Sequence, residues 1–358
     1  MRVERIDLAG FRCYESASAS FATGVTAVVG PNGAGKTSLL EAVHLALCGY
    51  SPRTTVEARC VREGSPFLRL EAVVAGVGQR HDIALALAPG EPRRIKVDGR
   101  TLRSRDELAG RFECLVFLPE RLAVVQRAPA VRRAYLDRAV VRAEPGHAAT
   151  VLAYGHALAQ RNALLRRARA GAAAPDGLDP WDEQLAQHGA ALIAARARLC
   201  DRLAGPFAEH LEVLGGRSGA ALVYRPRVPA GELATAIADR RARDIARAAT
   251  STGPHLDDIV LHEHSRELRA FGSQGEQRTA VLALLLAEAS LICELRGAPP
   301  VLLLDDVLSE LDADRRARLV RAVRAIGQAI VTTTEVAHLP ETADRVLVVG
   351  GGGITLQE

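Results

Sequence analysis

Lysine is almost missing from this chain. Of its 46 basic residues only Lys36 and Lys96 are lysine, and every other one is arginine. A sequence that has drifted this far toward arginine and still keeps lysine at position 36 marks a place for a compact ammonium on a flexible stem, where a planar guanidinium would not serve. CxxC pairs are also missing. The six cysteines, Cys13, Cys48, Cys60, Cys114, Cys200 and Cys293, are too scattered for a zinc ribbon or finger. A 358-residue chain with 48% hydrophobic content can build its core without disulfides, so reduced and mostly buried thiols are expected. No apolar run reaches the ~20 residues of a membrane span. The longest, Thr279 to Cys293, is broken by Glu288 and reads as a buried core helix. Charges at Arg2, Glu4 and Arg5 come too early for a secretory signal. There is no repeat of solenoid length and no sustained heptad pattern. These absences predict a cytoplasmic protein with no membrane partner.

The net charge of +4 says little until it is divided along the chain. Between Pro119 and Thr250 there are 20 arginines against 13 carboxylates, a local balance of +7, so the middle of the chain is its basic part. A polyanion-binding surface and a solvated helical face account for that count equally well.

The pattern of apolar residues divides the chain. Arg2 to Phe21 alternates like a strand pair, Val25–Val29 is a short strand, and Lys36 to Leu47 has helical spacing. Leu68–Val74, His81–Leu87, Arg93–Val97 and Cys114–Leu118 read as further strands, the last stopped by Pro119. From about Arg132 the sequence becomes rich in Ala, Leu and Arg, with a Gly/Ala/Pro/Asp break near Gly171–Pro180 and helix again from Trp181 to about Val213. After Thr250 the α/β character returns, with a strand at Val301–Leu304, a helix at Asp314–Ile326, and strands at Ala329–Thr332 and Arg345–Val349. The expected architecture is an α/β ATPase lobe formed by residues 1–118 and 251–358, interrupted by a helical, arginine-rich lobe over 119–250.

Three motifs carry chemistry. Gly30-Pro31-Asn32-Gly33-Ala34-Gly35-Lys36-Thr37, followed by Ser38, lies between a strand and a helix. Its glycines let backbone N–H groups face phosphate oxygens, and the helix N-terminus adds a positive dipole end. Lys36 is expected on the β- and γ-phosphates of ATP and Thr37 on Mg²⁺. Val301-Leu-Leu-Leu-Asp305-Asp306 is an apolar strand ending in two carboxylates. Asp305 is placed to hold Mg²⁺, and Asp306 to act as general base toward water. The third motif, Ser273-Gln274-Gly275-Glu276-Gln277, precedes a long apolar helix. Alone it reads as a capping box, with Ser273 at the cap and Glu276 three residues on. It also stands about 30 residues before the acidic strand, the spacing of an ABC-type signature, whose Ser and Gly donate to a γ-phosphate.

The order of loop, signature, acidic strand and Ser309-Glu-Leu-Asp312 makes the chain similar to the ABC/SMC class of ATPases, and more closely it resembles the RecF family of bacterial recombination mediators. The matching stretches run the length of the sequence: Phe11-Arg12, Val116-Phe-Leu-Pro-Glu120, Arg132-Arg133 with Leu136-Asp137, Arg161-Asn162, Trp181-Asp182, Gly253-Pro-His255 with Asp257-Asp258, and Leu303 to Asp312. Cys13, Leu256 and Glu276 depart from the family's usual Asn, Arg and Gln. The resemblance implies an ABC-type P-loop ATPase head with an inserted α-rich second lobe. It implies Arg12 near the nucleotide, Glu120 near the metal, and Thr332–Thr334 where related ATPases sense the γ-phosphate. Its implied partners are double-stranded DNA and gapped DNA junctions, a second copy of the chain joined through ATP, the mediators RecR and RecO, and RecA. Its implied activity is slow, switch-like ATP hydrolysis in recombinational repair, replication-gap processing and the SOS response.

Other assignments are open at this stage. His255 with Asp257 and Asp258 reads as a hydrogen-bonded corner before it reads as a metal set, because no further ligand clusters with them. Trp181 reads as a core anchor. Arg166-Arg167-Arg169 and Arg240-Arg241-Arg243 would touch phosphates only if they share a face. A transporter ATPase subunit does not explain the long span from Lys36 to Ser273. A coiled-coil structural protein would need heptads. A non-hydrolysing adaptor would not need Asp305 and Asp306 together.

Overall fold

A computed structural model of the chain describes residues 1–76, 78–104, 107–108, 111–309, 311–335, 338 and 343–357, with the side chain of residue 120 left out. The chain divides into two compact units. The first comprises Met1–Arg121, Glu209–Gly216 and Val281–Glu358; the second comprises Leu122–Ala208 and Arg217–Ala280.

In chain order the elements begin with β1 (Arg2–Phe11), β2 (Tyr14–Ser20), β3 (Val25–Val29), α1 (Lys36–Cys48), β4 (Leu68–Ala75), β5 (Arg80–Leu87), β6 (Arg94–Val97), β7 (Arg100–Thr101) and β8 (Cys114–Phe117). The middle of the chain holds α2 (Ala123–Gln126), α3 (Pro129–Ala143), α4 (His147–Arg169), α5 (Asp179–Val213), β9 (Ala221–Arg225), α6 (Leu233–Arg247), β10 (Asp258–Glu263), β11 (Arg266–Glu267) and α7 (Leu268–Phe271). The last part holds α8 (Gln274–Arg296), β12 (Val301–Leu304), α9 (Ala313–Ile326), β13 (Ala329–Thr333), β14 (Arg345–Gly350) and β15 (Gly353–Leu356).

The first unit contains two six-stranded sheets. One is antiparallel, ordered β2-β1-β4-β5-β6-β7, and follows the alternation of its strands: β4 buries every second residue, Leu68, Leu70, Ala72 and Val74. The other is ordered β15-β14-β3-β13-β12-β8 and is parallel except at β15. Its central strands β3, β12 and β13 are buried at every residue, as expected of parallel strands covered on both faces. The helix α1 packs on this sheet through Leu39, Leu40, Val43 and Leu47, all in one apolar core.

In the second unit, Tyr154, Ala157, Leu185, Leu192, Ile193, Leu233 and Ile237 form the core between α4, α5 and α6. The unit is not wholly helical. A three-stranded antiparallel sheet, β11-β10-β9, runs through it. The second unit begins at Leu122 and continues to Ala280, and so takes in β10, β11 and α7. The reason is the pairing of β9 with β10, which joins Tyr224 to Ile259 and Leu222 to Leu261. That partnership is non-local and leaves no short-range mark in the sequence.

Candidate active site

The parallel register sets the ends of three strands side by side. Thr333 is opposite Val29, and Leu304 lies between Val331 and Phe117. The Gly30–Thr37 loop follows β3, Asp305 and Asp306 follow β12, and Thr332 lies near the end of β13, all at the carboxyl edge where open α/β sheets take ligands.

Two glycines of the loop are required by contact. A Cβ at Gly30 would stand 2.3 Å from the Val349 carbonyl oxygen. One at Gly35 would stand 2.7 Å from both the Cys13 thiol and the Tyr14 hydroxyl, and Gly35 has φ of 115°, in the left-handed region. Gly35 is also the N-cap of α1 and no side chain caps that helix, so its first N–H groups remain free for an anion. Tyr14 supports the turn from beneath by donating its hydroxyl to the Gly35 carbonyl at 3.0 Å. Pro31, Asn32 and Gly33 form the exposed crest of the loop, while Lys36 is buried. The Lys36 ammonium lies within the loop, donating to the Gly30 carbonyl at 2.7 Å and the Pro31 carbonyl at 3.0 Å. Burial draws its pKa below the ordinary lysine range, with the Asp306 and Asp305 carboxylates pulling the other way.

Thr37 donates to both carboxylate oxygens of Asp305, at 3.0 and 2.9 Å. Thr332 donates to the same group at 2.8 Å and accepts the backbone N–H of Asp306 at 2.9 Å. Burial pushes the Asp305 carboxyl above the usual carboxylate range, the Thr332 and Thr37 hydroxyls oppose it, and the charge of Asp306 adds to it. Asp306 itself has φ of 49°, and its Oδ1 is buried without a hydrogen-bond partner. A left-handed aspartate with an unsatisfied oxygen costs free energy, and such costs collect at functional sites. The hard oxygens of Thr37 and Asp305 suit Mg²⁺, which takes one or two protein ligands and completes its shell with water and phosphate. No cluster of three or more His, Cys, Asp or Glu fit to hold a metal occurs among the described residues.

Arg12 is held by Glu41 of α1. Its guanidinium forms a bidentate pair with Glu41 at 2.9 and 2.6 Å and donates to the Arg59 carbonyl at 2.8 Å. Glu41 is a buried carboxylate on α1, further held by Ser51 at 2.5 Å and Arg53 at 3.2 Å. Burial raises the Glu41 pKa, but these donors outweigh it and the net shift is downward. Sequence reasoning passed over Glu41 and Tyr14; the one signal for Glu41 was a lone acid within Leu39-Leu-Glu-Ala-Val43. The side chain of Glu120 and all of Glu310 lie outside the described residues.

Ser273 and Glu276 form the reciprocal capping box at the start of α8. The Ser273 N–H donates to the Glu276 carboxylate at 2.7 Å, and the Glu276 N–H donates to the Ser273 hydroxyl at 3.3 Å. Gln277 is buried, donating to the Leu268 and Gly272 carbonyls and accepting from Gln126. Ser273 and Gln274 remain exposed.

Residues 5–100 match a family model described as an AAA domain. Over nearly its whole length the chain is 38% identical to the DNA replication and repair protein RecF of Heliobacterium modesticaldum, covering 96% of each. The chain belongs to the RecF family. It is also 39% identical to the RecF of Acidothermus cellulolyticus, over 93% of this chain and 94% of that one. A solved structure of the recombination mediator protein RecF with ATP, in the RecFOR pathway, superposes with a TM-score of 0.88 at 26% identity, covering 99% and 97% of the two chains. The SMC head bound to the C-winged helix domain of ScpA, at TM-score 0.61 and 16% identity, shares the fold. No helix among the described residues is long and apolar enough to cross a membrane.

The motifs that resemble the RecF family outside the nucleotide loop are largely absorbed into buried polar contacts of the second unit. Arg161, fully buried, donates to Asp182 at 2.5 Å, Asp244 at 2.7 Å and Thr250 at 2.9 Å. Asn162 accepts from the Thr250 N–H and hydroxyl. Arg132 pairs with Asp258, and Arg196 with Asp137. His255 meets the Tyr154 hydroxyl at 2.7 Å, and Asp257 accepts from Tyr224 and from the Arg227 N–H. The Gly253-Pro-His255 and Asp257-Asp258 stretch is thus a hydrogen-bonded corner, and burial lowers the His255 pKa.

Proposed function

We propose that the chain is an ATP-dependent DNA-binding protein of recombinational repair and replication-gap processing, in which slow hydrolysis resets an ATP-joined pair of copies. The observation that carries the reading is the cluster Thr37, Asp305, Thr332 and Asp306 at the mouth of the Gly30–Lys36 loop. In this reading the backbone of Gly30 to Ser38 cradles the phosphates, and Lys36 exchanges its two carbonyl acceptors for β- and γ-phosphate oxygens. Thr37 and Asp305 would hold Mg²⁺, which when bound would supply charge neutralisation at the phosphates. Asp306, whose Oδ1 has no protein partner, orients water for in-line attack and takes its proton as ADP leaves. Ser273, Gln274 and Gly275 close over the loop of a second copy, held in position by the capping box and by Gln277. Arg12 acts through Glu41 on the orientation of α1. Kinship with RecF proteins, named for DNA replication and repair and for the RecFOR pathway, supports DNA and mediator partners; in the same proposal the DNA is double-stranded and gapped, the partners are RecR, RecO and RecA, and the location is cytoplasmic.

Sedimentation with and without ATP and a short duplex tests the central claim. A single-copy species is expected without nucleotide and a two-copy species with ATP, bound to DNA. Ser273→Ala should bind ATP yet remain a single copy; normal pairing would remove the signature from the reading. Asp306→Asn should lower turnover by about 100-fold or more, the usual contribution of a general base, and accumulate the ATP-bound pair. Wild-type turnover would assign the water to another group.

A further inference from the structure

Two sets of arginines stand out in the second unit. One set is consumed internally: Arg161, Arg132, Arg196 and Arg241 pair with Asp182, Asp244, Asp258, Asp137 and Asp179. The other set is Arg166, Arg167 and Arg169 at the end of α4, with Arg243 and Arg247 on α6. All five are exposed, and among the described residues none makes a side-chain hydrogen bond or ion pair.

The helices α4 and α6 lie side by side. Their first halves share a core through Tyr154 and Ala157 of α4 and Leu233 and Ile237 of α6. Further along, Arg161 of α4 grips Asp244 of α6, and Asn162 holds Thr250, just beyond the α6 C-cap. The helices therefore run side by side in one direction, and α4 continues beyond the end of α6 at that end of the unit. Arg166 and Arg169 are three apart and Arg243 and Arg247 four apart, the spacings that share a helix face.

A bland account of such a cluster is charge balance on solvated helices, and it does not fit. The 23-residue α4 contains no carboxylate at all. On α6, Asp244 is spent on Arg161, and Asp239, one turn before Arg243, makes no ion pair with it. The helix dipole favours cations in the last turn, where Arg166, Arg167, Arg169 and Arg247 stand, but it does not reach Arg243, which lies before that turn.

We propose that Arg166, Arg167, Arg169, Arg243 and Arg247 form a docking surface for the phosphate backbone of double-stranded DNA. The proposal rests on the DNA-binding reading above and locates its contact. Exposed unpaired guanidiniums without neighbouring base-reading geometry neutralise phosphates and release counterions, so affinity depends on salt rather than on sequence.

The test uses the full chain with ATP and Mg²⁺ and a fluorescent duplex, titrated at several salt concentrations. Arg166→Gln/Arg167→Gln/Arg169→Gln is expected to weaken binding at least about tenfold at 0.1 M salt and to flatten the log–log salt slope by about 2 to 3, near 0.9 per lost contact. Arg243→Gln/Arg247→Gln should flatten it by about 2. The corresponding lysine variants should restore most of the affinity, since a phosphate contact needs only a charge, and their rescue separates lost charge from lost fold. If all five can be replaced with no change in affinity or slope while the unaltered chain binds duplex, the surface lies elsewhere and the DNA-binding reading survives. If the unaltered chain binds no duplex under these conditions, both fall.

Discussion

Lys36→Ala is expected to lower ATP affinity at least about 100-fold, the loss of two charge-assisted hydrogen bonds to phosphate at roughly 1.5–3 kcal/mol each. The fold should survive, because the ammonium's acceptors are two carbonyls of the loop itself, one of them on the exposed Pro31, and it bridges no distant elements. Lys36→Arg should fail almost as badly. A guanidinium is longer and planar, and the Nζ lies within 3.0 Å of two carbonyls of the same tight turn. This is the physical content of a chain that uses arginine nearly everywhere and lysine here. Titration with a fluorescent ATP analogue, alongside thermal unfolding, checks both variants. Full ATP affinity in Lys36→Ala would remove Lys36 from the nucleotide site.

Arg161→Met should destabilise the chain by about 3–5 kcal/mol, the usual cost of leaving a buried charge without its partner. Asp244 is fully buried and Arg161 is its ion-pair partner; the remaining donors to it are the N–H and hydroxyl of Ser251. Asp182 is less exposed to the loss because Arg241 also reaches it. Against a typical total stability of about 5–15 kcal/mol, such a loss would unfold a sizeable fraction of molecules on mild heating. Asp244→Asn added to Arg161→Met should recover part of it by removing the isolated charge. Urea unfolding of the single and double variants separates these outcomes. A wild-type midpoint for Arg161→Met would show that the α4–α6 crossing is held by its apolar core alone.

Both outcomes turn on residues that the chain's primary structure presents very differently. The loop at Gly30–Thr37 is eight consecutive residues between a strand and a helix, so its chemistry was legible without tertiary information. So were the apolar strand before Asp305-Asp306 and the capping box at Ser273–Glu276, because each is specified by short-range spacing. Most strands of the first unit were legible for the same reason: β4 alternates with period two, and β3, β12 and β13 are continuous apolar runs. Arginine at 161 stood out only by its family resemblance; helical spacing alone did not separate its buried role from that of the arginine at 166 in the same run.

What remained hidden depends on contacts between distant segments. Thr37 meets Asp305 across 268 positions because β3, β13 and β12 lie in parallel register. Arg12 was expected near nucleotide; that Glu41 on α1 holds its guanidinium was not legible in the sequence. The β9 strand acquires its identity only from β10, and that pairing extends the second unit past residue 250. The loop that opened the reading as a lysine anomaly was determined by sequence alone, since a phosphate cradle is made from the backbone of neighbouring residues. Which of the 20 middle arginines hold the fold and which face solvent was decided only by tertiary structure, because an arginine's role is set by whether a carboxylate from elsewhere in the chain reaches it.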